Sequence, residues 1–254
     1  MKLLVDFGNT RLKWASVAAD GQLRPGGVFA HADVPLVAEL RREWGGLARV
    51  QSAWIASVVS SAHEQELAAF VRERFGLAAR FVRSPAAALG IRNAYAQPER
   101  LGVDRFLAFA AAHARHARLQ VLVSAGTALT IDALDADGSH LGGLIVASPQ
   151  AMRLAVVAGT ARVDARGGQF SQRPRSTADA VVTGSLYAAA GAIERFRASL
   201  VAAGETLPPI LLGGGGADEL EPLLAPVERV HDLVLHGLAL WAGDAAAAGA
   251  PADD

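Results

Sequence analysis

A short segment near the start of the chain combines a carboxylate, a glycine, hydrogen-bonding side chains and a lysine. Residues 6–13 (DFGNTRLK) follow the apolar run 3–5, which predicts a buried strand that delivers Asp6 to a tight turn. Gly8 lets the backbone approach a bulky anion, and Asp6 can hold Mg²⁺ directly or through water. The other groups that can donate to phosphate oxygens are the turn amides and the side chains of Asn9, Thr10 and Lys13. An ordinary hairpin with a capping aspartate would use the same residues.

Two further glycine-containing turns occur in the second half of the chain. Residues 124–127 (SAGT) follow the apolar run 121–123, just as residues 6–10 follow the run 3–5. Residues 213–216 (GGGG) stand between a predicted strand at 210–212 and a predicted helix at 217–220, and would let a flat group lie on bare backbone. A plain hairpin and a flexible loop are the alternatives. The glycine run matches neither the dinucleotide-binding fingerprint nor the P-loop.

A third candidate is the segment 101–105 (LGVDR), at the predicted start of a helix. Asp104 falls in the first turn, where the helix dipole favours a negative charge. A first-turn aspartate with a solvated arginine neighbour, Arg105, would also explain this pattern. Spacing alone does not separate the two explanations.

The elements that position these residues follow one order twice. Each half is predicted to run strand, turn, strand, turn and strand, with hairpin turns at residues 20–21 and 137–138, before helices and further strands. The main predicted helices are 35–44, 61–75, 103–117, 149–158, 177–201 and 233–245, with a capping box at Ser61 and Glu64. This repetition predicts a duplicated α/β fold with domains at 1–117 and 118–254, followed by disorder from about residue 246.

Composition excludes several functional classes. The chain has 254 residues, a net charge of −1 and no cysteine, so disulfides, thiolate nucleophiles and zinc–thiolate sites are ruled out. Acidic and basic residues are mixed along the chain, which gives no basic field for nucleic acid or an anionic membrane. The apolar stretches are too short to span a membrane, and the start is not a signal peptide. We therefore expect a cytoplasmic protein that binds neither nucleic acid nor membrane.

Taken together, these motifs resemble the type III pantothenate kinases of the acetate and sugar kinase/Hsp70/actin superfamily. The resemblance covers nearly the whole chain and is specific in the order of its motifs: DFGNTRLKW (6–14), Tyr95, LGVDR (101–105), SAGTALTID (124–132), LGG (141–143), RST (175–177) and GGGG (213–216). It implies two actin-like (ribonuclease H-like) α/β domains, each a mixed sheet flanked by helices, with the nucleotide in the cleft between them. It also implies a homodimer that transfers phosphate from ATP to pantothenate in coenzyme A biosynthesis.

The resemblance further implies roles for individual residues. ATP would be bound by Asp6, Phe7, Gly8, Asn9, Thr10, Arg11, Leu12 and Lys13 in the first phosphate loop and by Thr127 in the second, with Mg²⁺ at Asp6 and the glycine run on the adenosine side. Pantothenate would be bound by Tyr95, Gly102, Val103, Asp104, Arg105 and Thr177. Asp104 would be the proton acceptor, and Thr177 could come from either subunit.

One position departs from the family pattern. The family usually carries Asp where Ser124 stands, and that carboxylate helps to bind K⁺ or NH₄⁺. A neutral hydroxyl is a poorer cation ligand, so we expect a weak or absent response to K⁺. Two other functions stay open at this point: a different small-molecule kinase of the same superfamily, and a non-catalytic nucleotide-binding accessory factor for gene expression.

Overall fold

The structure is a computed structural model that describes residues 1–32 and 34–244. It contains two compact units. The first comprises residues 1–117, 137–139 and the described part of the segment from 232 onward, and the second comprises residues 118–136 and 140–231. The predicted disordered tail lies outside the described residues. The domain boundary after residue 117 stays a prediction.

Three sheets are formed by the described residues. Their strands are β1 (Lys2–Phe7), β2 (Arg11–Val17), β3 (Leu23–Ala30), β4 (Ser52–Ser57), β5 (Ala79–Val82), β6 (Ala87–Ala88), β7 (Ile91–Arg92), β8 (Gln120–Ala125), β9 (Ala128–Leu134), β10 (His140–Ala147), β11 (Ile210–Gly213) and β12 (Val227–Arg229).

The described helices lie between and after these strands. They are α1 (Leu36–Trp44), α2 (Ser61–Phe75), α3 (Val103–Arg115), α4 (Pro149–Ala158), α5 (Thr177–Ala198), α6 (Ala217–Leu220) and α7 (Leu233–Gly243), with short 3-10 helices at Pro98–Arg100 and Glu221–Leu223.

The sheet of the first unit has the strand order β3-β2-β1-β4-β5. Its central strand β1 is antiparallel to β2 and parallel to β4. Leu3, Leu4 and Val5 have no exposed surface, which confirms that the apolar run without alternation is a strand buried on both faces. Helices α1 and α2 supply buried leucine and aromatic side chains, among them Trp44, to one face of this sheet.

The sheet of the second unit repeats the first. Its order is β10-β9-β8-β11-β12, so each strand occupies the same place as its counterpart in the first half. The central strand β8 is again antiparallel to the following strand and parallel to β11. Both sheets are mixed and flanked by helices, and this identical topology confirms the predicted duplication. The small third sheet, β6–β7, was not predicted from the sequence.

Local signals predicted the bounds of α2 and α4 correctly, whereas α3 and α5 end two and three residues before their predicted ends, at Arg115 and Ala198. The predicted capping residue of α2 is also wrong. The capping residue is Ser60 rather than Ser61, because the Ser60 hydroxyl accepts a hydrogen bond from the main-chain N–H of His63. Ser61 is already the first helical residue. Two adjacent serines offer the same side chain, and the sequence does not distinguish which of them leaves the helical conformation.

The last described helix, α7, packs with the first unit. It lies against α3 and β1, and the Lys2 ammonium donates to the carbonyl of Ala242. Gly237 allows the close approach, since a Cβ there would stand 2.0 Å from the carbonyl oxygen of Leu107. Within the described ranges, no helix is both long and apolar enough to cross a membrane.

The contact at Gly237 gives a test of this packing. We expect Gly237→Ala to destabilise the protein by roughly 1–3 kcal/mol, because the backbone carbonyl of Leu107 cannot move aside without shifting α3. Gly191→Ala is the matched control: Gly191 is an exposed position inside α5 with open space around its Cβ. The free energy of unfolding of this control should rise by about 0.5–1 kcal/mol, because alanine has a higher helix propensity than glycine. Urea unfolding of both variants measures the difference, and equal effects would contradict the packing.

Candidate active site

The first candidate phosphate turn is a tight hairpin between β1 and β2. The Gly8 N–H donates to the Arg11 carbonyl at 3.0 Å, which leaves Asn9 and Thr10 exposed at the tip. Phe7 pairs with Leu12, and both side chains are fully buried in the core. These two residues could therefore approach a nucleotide only through their main chain.

The pleat of the same hairpin places its charged residues together. Asp6 pairs with Lys13 directly across the two strands, one position before the buried pair. Because successive side chains alternate between the faces of a sheet, both point away from the side that holds Phe7. The turn thus offers exposed main-chain groups at its tip and a carboxylate with an ammonium group at its base.

Asp104 lies in the first turn of α3, as the sequence predicts. Its Oδ1 accepts a hydrogen bond from the main-chain N–H of Arg105 at 2.9 Å. Gly102 leaves the space that this carboxylate occupies, since a Cβ at Gly102 would stand 2.5 Å from Asp104 Oδ1. These contacts fix the orientation of the carboxylate at the helix N-terminus.

Arg105 and Tyr95 lie together beside Asp104. The Arg105 guanidinium is buried and donates from Nη1 to the Tyr95 hydroxyl at 3.1 Å, with its Cζ 5.8 Å from the centre of the tyrosine ring. Val103 is buried in the core. The structure therefore brings together five predicted substrate-binding positions, which are Tyr95, Gly102, Val103, Asp104 and Arg105. Arg105 is not the solvated residue that the alternative explanation required.

Burial and neighbouring charges raise the pKa of Asp6 to about 7. The largest cause is desolvation of the carboxylate, followed by repulsion from Asp104; Lys13 opposes the shift and Asp232 adds to it. Two further carboxylates therefore act on Asp6, and one ammonium group opposes them. A bound cation would relieve this excess of negative charge.

The donor set around Asp6 fits Mg²⁺ in the way that ATP-using enzymes hold it. Mg²⁺ prefers oxygen ligands and usually keeps several waters, with one or two carboxylates and the phosphates of the substrate completing its shell. In residues 1–32 and 34–244, no group of three or more histidines or carboxylates is arranged to hold a metal without such help. A Mg²⁺ site in which Asp6 is the single protein carboxylate, with water and nucleotide oxygens as the other ligands, agrees with this preference and with the lack of a larger ligand group in the described residues.

Sequence reasoning missed Asp232. This residue precedes α7 in the left-handed backbone conformation, with φ 52° and ψ 33°, and its side chain does not cap the helix. Instead, its Oδ1 lies 3.1 Å from Lys13 Nζ. Left-handed backbone is uncommon for residues other than glycine, although aspartate tolerates it better than most. An aspartate before a helix predicts a cap, so no sequence signal pointed to the ion pair.

In the second unit, the matching turn joins β8 to β9. Gly126 N–H donates to the Ala128 carbonyl at 3.0 Å, and Ser124 and Thr127 are exposed. The glycine run packs against this turn: Gly214 has φ 92°, and the Gly216 N–H donates to the Ala125 carbonyl at 2.9 Å. A Cβ at Gly214 would stand 2.4 Å from the Ala125 oxygen. The run is therefore a packed element rather than a flexible loop.

Thr177 is the first residue of α5 and also lies in the second unit. It borders a cavity of about 500 Å³ whose lining is mainly apolar, with Met152 and Val156 from α4 and Val181 from α5. The helix begins here because the preceding Ser176 hydroxyl accepts from the Asp179 N–H at 3.1 Å. Thr177 is thus held at a capped helix start beside an apolar concavity.

Solved structures with a similar chain path define the class of fold. A Sinorhizobium meliloti protein assigned as a 2-dehydro-3-deoxygalactonokinase gives a TM-score of 0.60 at 15% identity, covering 100% of this chain and 98% of that chain. A Campylobacter jejuni protein assigned to the Baf family of transcriptional activators gives 0.60 at 18% identity, covering 93% and 94%. The chain has the two-domain actin-like α/β fold, which confirms the predicted fold class.

Sequence comparison narrows this class to one family. The family model for type III pantothenate kinase matches residues 2–199. The type III pantothenate kinase of Aromatoleum aromaticum (strain DSM 19018 / LMG 30748 / EbN1) is 39% identical over 250 residues, covering 98% of this chain and 100% of the relative. That of Xanthomonas campestris pv. campestris (strain B100) is 42% identical over 250 residues, covering 96% and 98%. The chain belongs to the type III pantothenate kinase family.

The pKa of Asp6 predicts an unusual dependence of stability on pH. A folded-state pKa of about 7, above the ordinary value of 3.8, means that the stability contributed by Asp6 is complete below pH 3.8 and is lost as the pH rises through 7. Asp6→Asn should therefore raise the free energy of unfolding at pH 8 by roughly 1–3 kcal/mol, and this gain should shrink towards pH 4. Urea unfolding at both pH values measures the effect.

Asp20→Asn is the control for this measurement. The Gln22 main-chain N–H, 3.0 Å from Asp20 Oδ1, lowers the pKa of that exposed carboxyl, with help from Arg24. Because this pKa is lowered, the ionised Asp20 carboxylate stabilises the folded protein, whereas ionised Asp6 destabilises it. Asp20→Asn should therefore give no increase in the free energy of unfolding at pH 8. A loss of stability in Asp6→Asn at pH 8 would show that the Asp6 carboxylate is well compensated in the folded protein.

Proposed function

We propose that this chain transfers the γ-phosphoryl group of ATP to the primary hydroxyl of pantothenate, giving 4'-phosphopantothenate in the first step of coenzyme A biosynthesis. The observation that carries this proposal is the pairing of Asp6 with Lys13 at the base of a tight glycine turn, in the same unit as Asp104, whose charge acts on Asp6. Family membership supports the choice of pantothenate as the acceptor. The reaction depends more on alignment and charge neutralisation than on covalent help from the protein.

The first turn is the part that we assign to the phosphates. The main-chain N–H groups of residues 9–11 and the Lys13 ammonium would donate to phosphate oxygens, and Asn9, Thr10 and Arg11 stand exposed to contact them. Asp6 would hold Mg²⁺ directly or through water, and the ion would neutralise charge on the phosphates. As phosphate oxygens arrive, Lys13 can exchange the Asp232 carboxylate for them, since that ion pair is partly exposed and therefore weak.

Asp104 is assigned to the acceptor hydroxyl. The hydroxyl oxygen forms a bond to the γ-phosphorus, the bond from that phosphorus to the β–γ bridging oxygen breaks, ADP leaves, and the hydroxyl proton passes to the Asp104 carboxylate. An ordinary aspartate has a pKa of about 3.9, so it is a weak base that accepts the proton late. The hydrogen bond from the Arg105 N–H holds this base in position.

Tyr95 and Arg105 form the wall that we assign to pantothenate. The buried guanidinium is fixed by the Tyr95 hydroxyl and is the cation nearest in sequence to Asp104, so it suits the carboxylate end or a carbonyl oxygen of the acceptor. Gly102 keeps the approach to Asp104 open, and Val103 anchors the helix start in the core. Thr177 is the remaining pantothenate contact that the family resemblance implies.

The second turn and the glycine run are assigned to the rest of ATP. Thr127 is exposed at the tip of the β8–β9 turn, where its hydroxyl can donate to a phosphate oxygen. Gly214 and Gly216 form a bare surface packed on the same turn, which suits the flat adenine ring and its ribose. Within the second unit, the turn and the glycine run thus offer neutral donors and bare backbone, with no charged side chain among Thr127, Gly214 and Gly216.

We propose a homodimer as the working form. The second unit exposes large apolar side chains on α4, with Leu154 63% and Val156 43% exposed, and Tyr187 on α5 is 45% exposed. Patches of this kind usually mark protein–protein contacts. A second copy of the chain is the occupant that the family resemblance implies, and Thr177 lies at the start of one of these helices.

The two alternative functions are less well supported. The solved structures of a sugar-acid kinase and of a Baf-family protein are only 15% and 18% identical to this chain. Similarity at this level supports a shared fold and not a shared function. The curated relatives near 40% identity are type III pantothenate kinases over almost their full length. Asp6, Lys13 and Asp104 are all present in the first unit, and this supports a chain that turns over its nucleotide rather than one that only binds it.

A coupled assay for ADP release with ATP, Mg²⁺ and pantothenate tests the proposal directly. The wild-type chain should release ADP with pantothenate and should not do so with hexoses. Asp104→Asn should lower kcat by roughly 100-fold or more, the usual effect of losing a general base, with little change in ATP binding. ATP binding should persist because the substitution removes a negative charge near Asp6. Near-normal turnover in Asp104→Asn would refute the role given to that residue.

The response to K⁺ tests the role of Ser124. A hydroxyl carries no charge, so turnover in sodium or Tris buffer should fall less than roughly twofold below turnover in K⁺. Ser124→Asp restores the carboxylate of the family pattern at an exposed position at the end of β8, and should make turnover depend on K⁺. A strict K⁺ or NH₄⁺ requirement in the wild-type chain would contradict this prediction.

A further inference from the structure

His31 lies directly beneath the first phosphate turn. It follows β3 and is only 7% exposed, and its ring Nε2 lies 2.8 Å from the carbonyl oxygen of Gly8. Its main-chain N–H also donates to the carbonyl of Thr10 at 3.3 Å. One residue therefore makes hydrogen bonds to both sides of the turn tip, from its side chain and from its backbone.

The Gly8 bond fixes which ring nitrogen carries the proton. A carbonyl oxygen only accepts, so Nε2 must be the donor, and this holds for the neutral and the charged imidazole alike. The ring is held in place by two aromatic neighbours: Phe7 packs edge-on with centroids 5.0 Å apart, and His63 does so at 5.7 Å. The donor is thus aimed at the turn by packing on its other sides.

Fixing the Gly8 carbonyl also fixes the next N–H group. The peptide between Gly8 and Asn9 is trans and planar, so its C=O and N–H point in opposite directions. With the carbonyl directed inward to His31, the Asn9 N–H is directed outward, on the exposed side of the turn. Without the imidazole donor, a tight glycine turn could rotate this peptide at little steric cost.

We propose that His31 is a positioning residue for phosphate binding, which holds the Gly8–Asn9 peptide with its N–H directed at the phosphates of the nucleotide. The role rests on the proposed phosphate turn and adds to it a residue that no sequence motif indicated. His31 does not touch the nucleotide itself. It acts by keeping one donor oriented before the ligand arrives, so that binding does not have to order it.

The alternative is that His31 only fills the core, and the neighbouring residues allow a clean comparison. His63 belongs to the same aromatic cluster, with its ring 6.2 Å from that of Phe7, yet its ring nitrogen contacts Ser60 and not the turn. His31→Phe keeps an aromatic ring and removes the donor. His31→Gln loses the ring but keeps an amide N–H at about the reach of Nε2. His63→Phe is the matched packing control.

Steady-state kinetics of these variants, with ATP and pantothenate varied separately, test the inference. His31→Phe should lower kcat/KM for ATP by roughly 3- to 10-fold, the usual effect of one hydrogen bond, and should leave the KM for pantothenate within about twofold. His31→Gln should recover at least part of the loss, and His63→Phe should behave as wild type. If His31→Phe does not fold, as judged by circular dichroism, His31→Leu takes its place as the variant without a donor.

Four results would overturn the inference. Wild-type kinetics in the variant without a donor would show that the turn needs no support from His31. Equal losses for ATP and pantothenate, or an equal loss in His63→Phe, would show a purely structural role. Absence of kinase activity in the wild-type chain would refute the proposed function on which the inference rests. That outcome is measured in the unmutated protein, so it is distinguishable from the other three.

Discussion

The charge balance around Asp6 is the constraint on which the account of the site depends. Burial and the carboxylates of Asp104 and Asp232 disfavour its ionised form, and Lys13 alone opposes them. A site of this kind carries more negative charge than the protein compensates, which suits a divalent cation accompanied by a phosphate ester. The tight turn, the helix start at Asp104 and the residue before α7 all serve to hold these four groups together.

Duplication gives the two halves the same sheet but not the same chemistry. The five strands of each sheet follow the same order, and each central strand ends in a glycine turn. The first turn carries Asp6 and Lys13, whereas the second has only the hydroxyls of Ser124 and Thr127. The charged residues of the proposed site therefore lie in the first half, and in the second half the glycine run packs against its own turn.

Much of this could be predicted from the sequence, because local signals were strong. Residues 3–5 and 121–123 are apolar without alternation, and both are central strands with almost no exposed surface. Asp104 was placed at a helix start by its flanking residues. Contacts between distant segments could not be predicted: Asp232 and Lys13 are 219 positions apart, and His31 reaches Gly8 across 23. The capping serine of α2 was misplaced because two serines are adjacent.

The most direct test is a crystal structure with a non-hydrolysable ATP analogue, Mg²⁺ and pantothenate. The account predicts that Lys13 Nζ and the main-chain N–H of Asn9 contact phosphate oxygens, and that the Asp104 carboxylate lies within hydrogen-bond distance of the primary hydroxyl of pantothenate. A complex in which Asp104 is remote from that hydroxyl, or in which the triphosphate avoids the turn after β1, would contradict it.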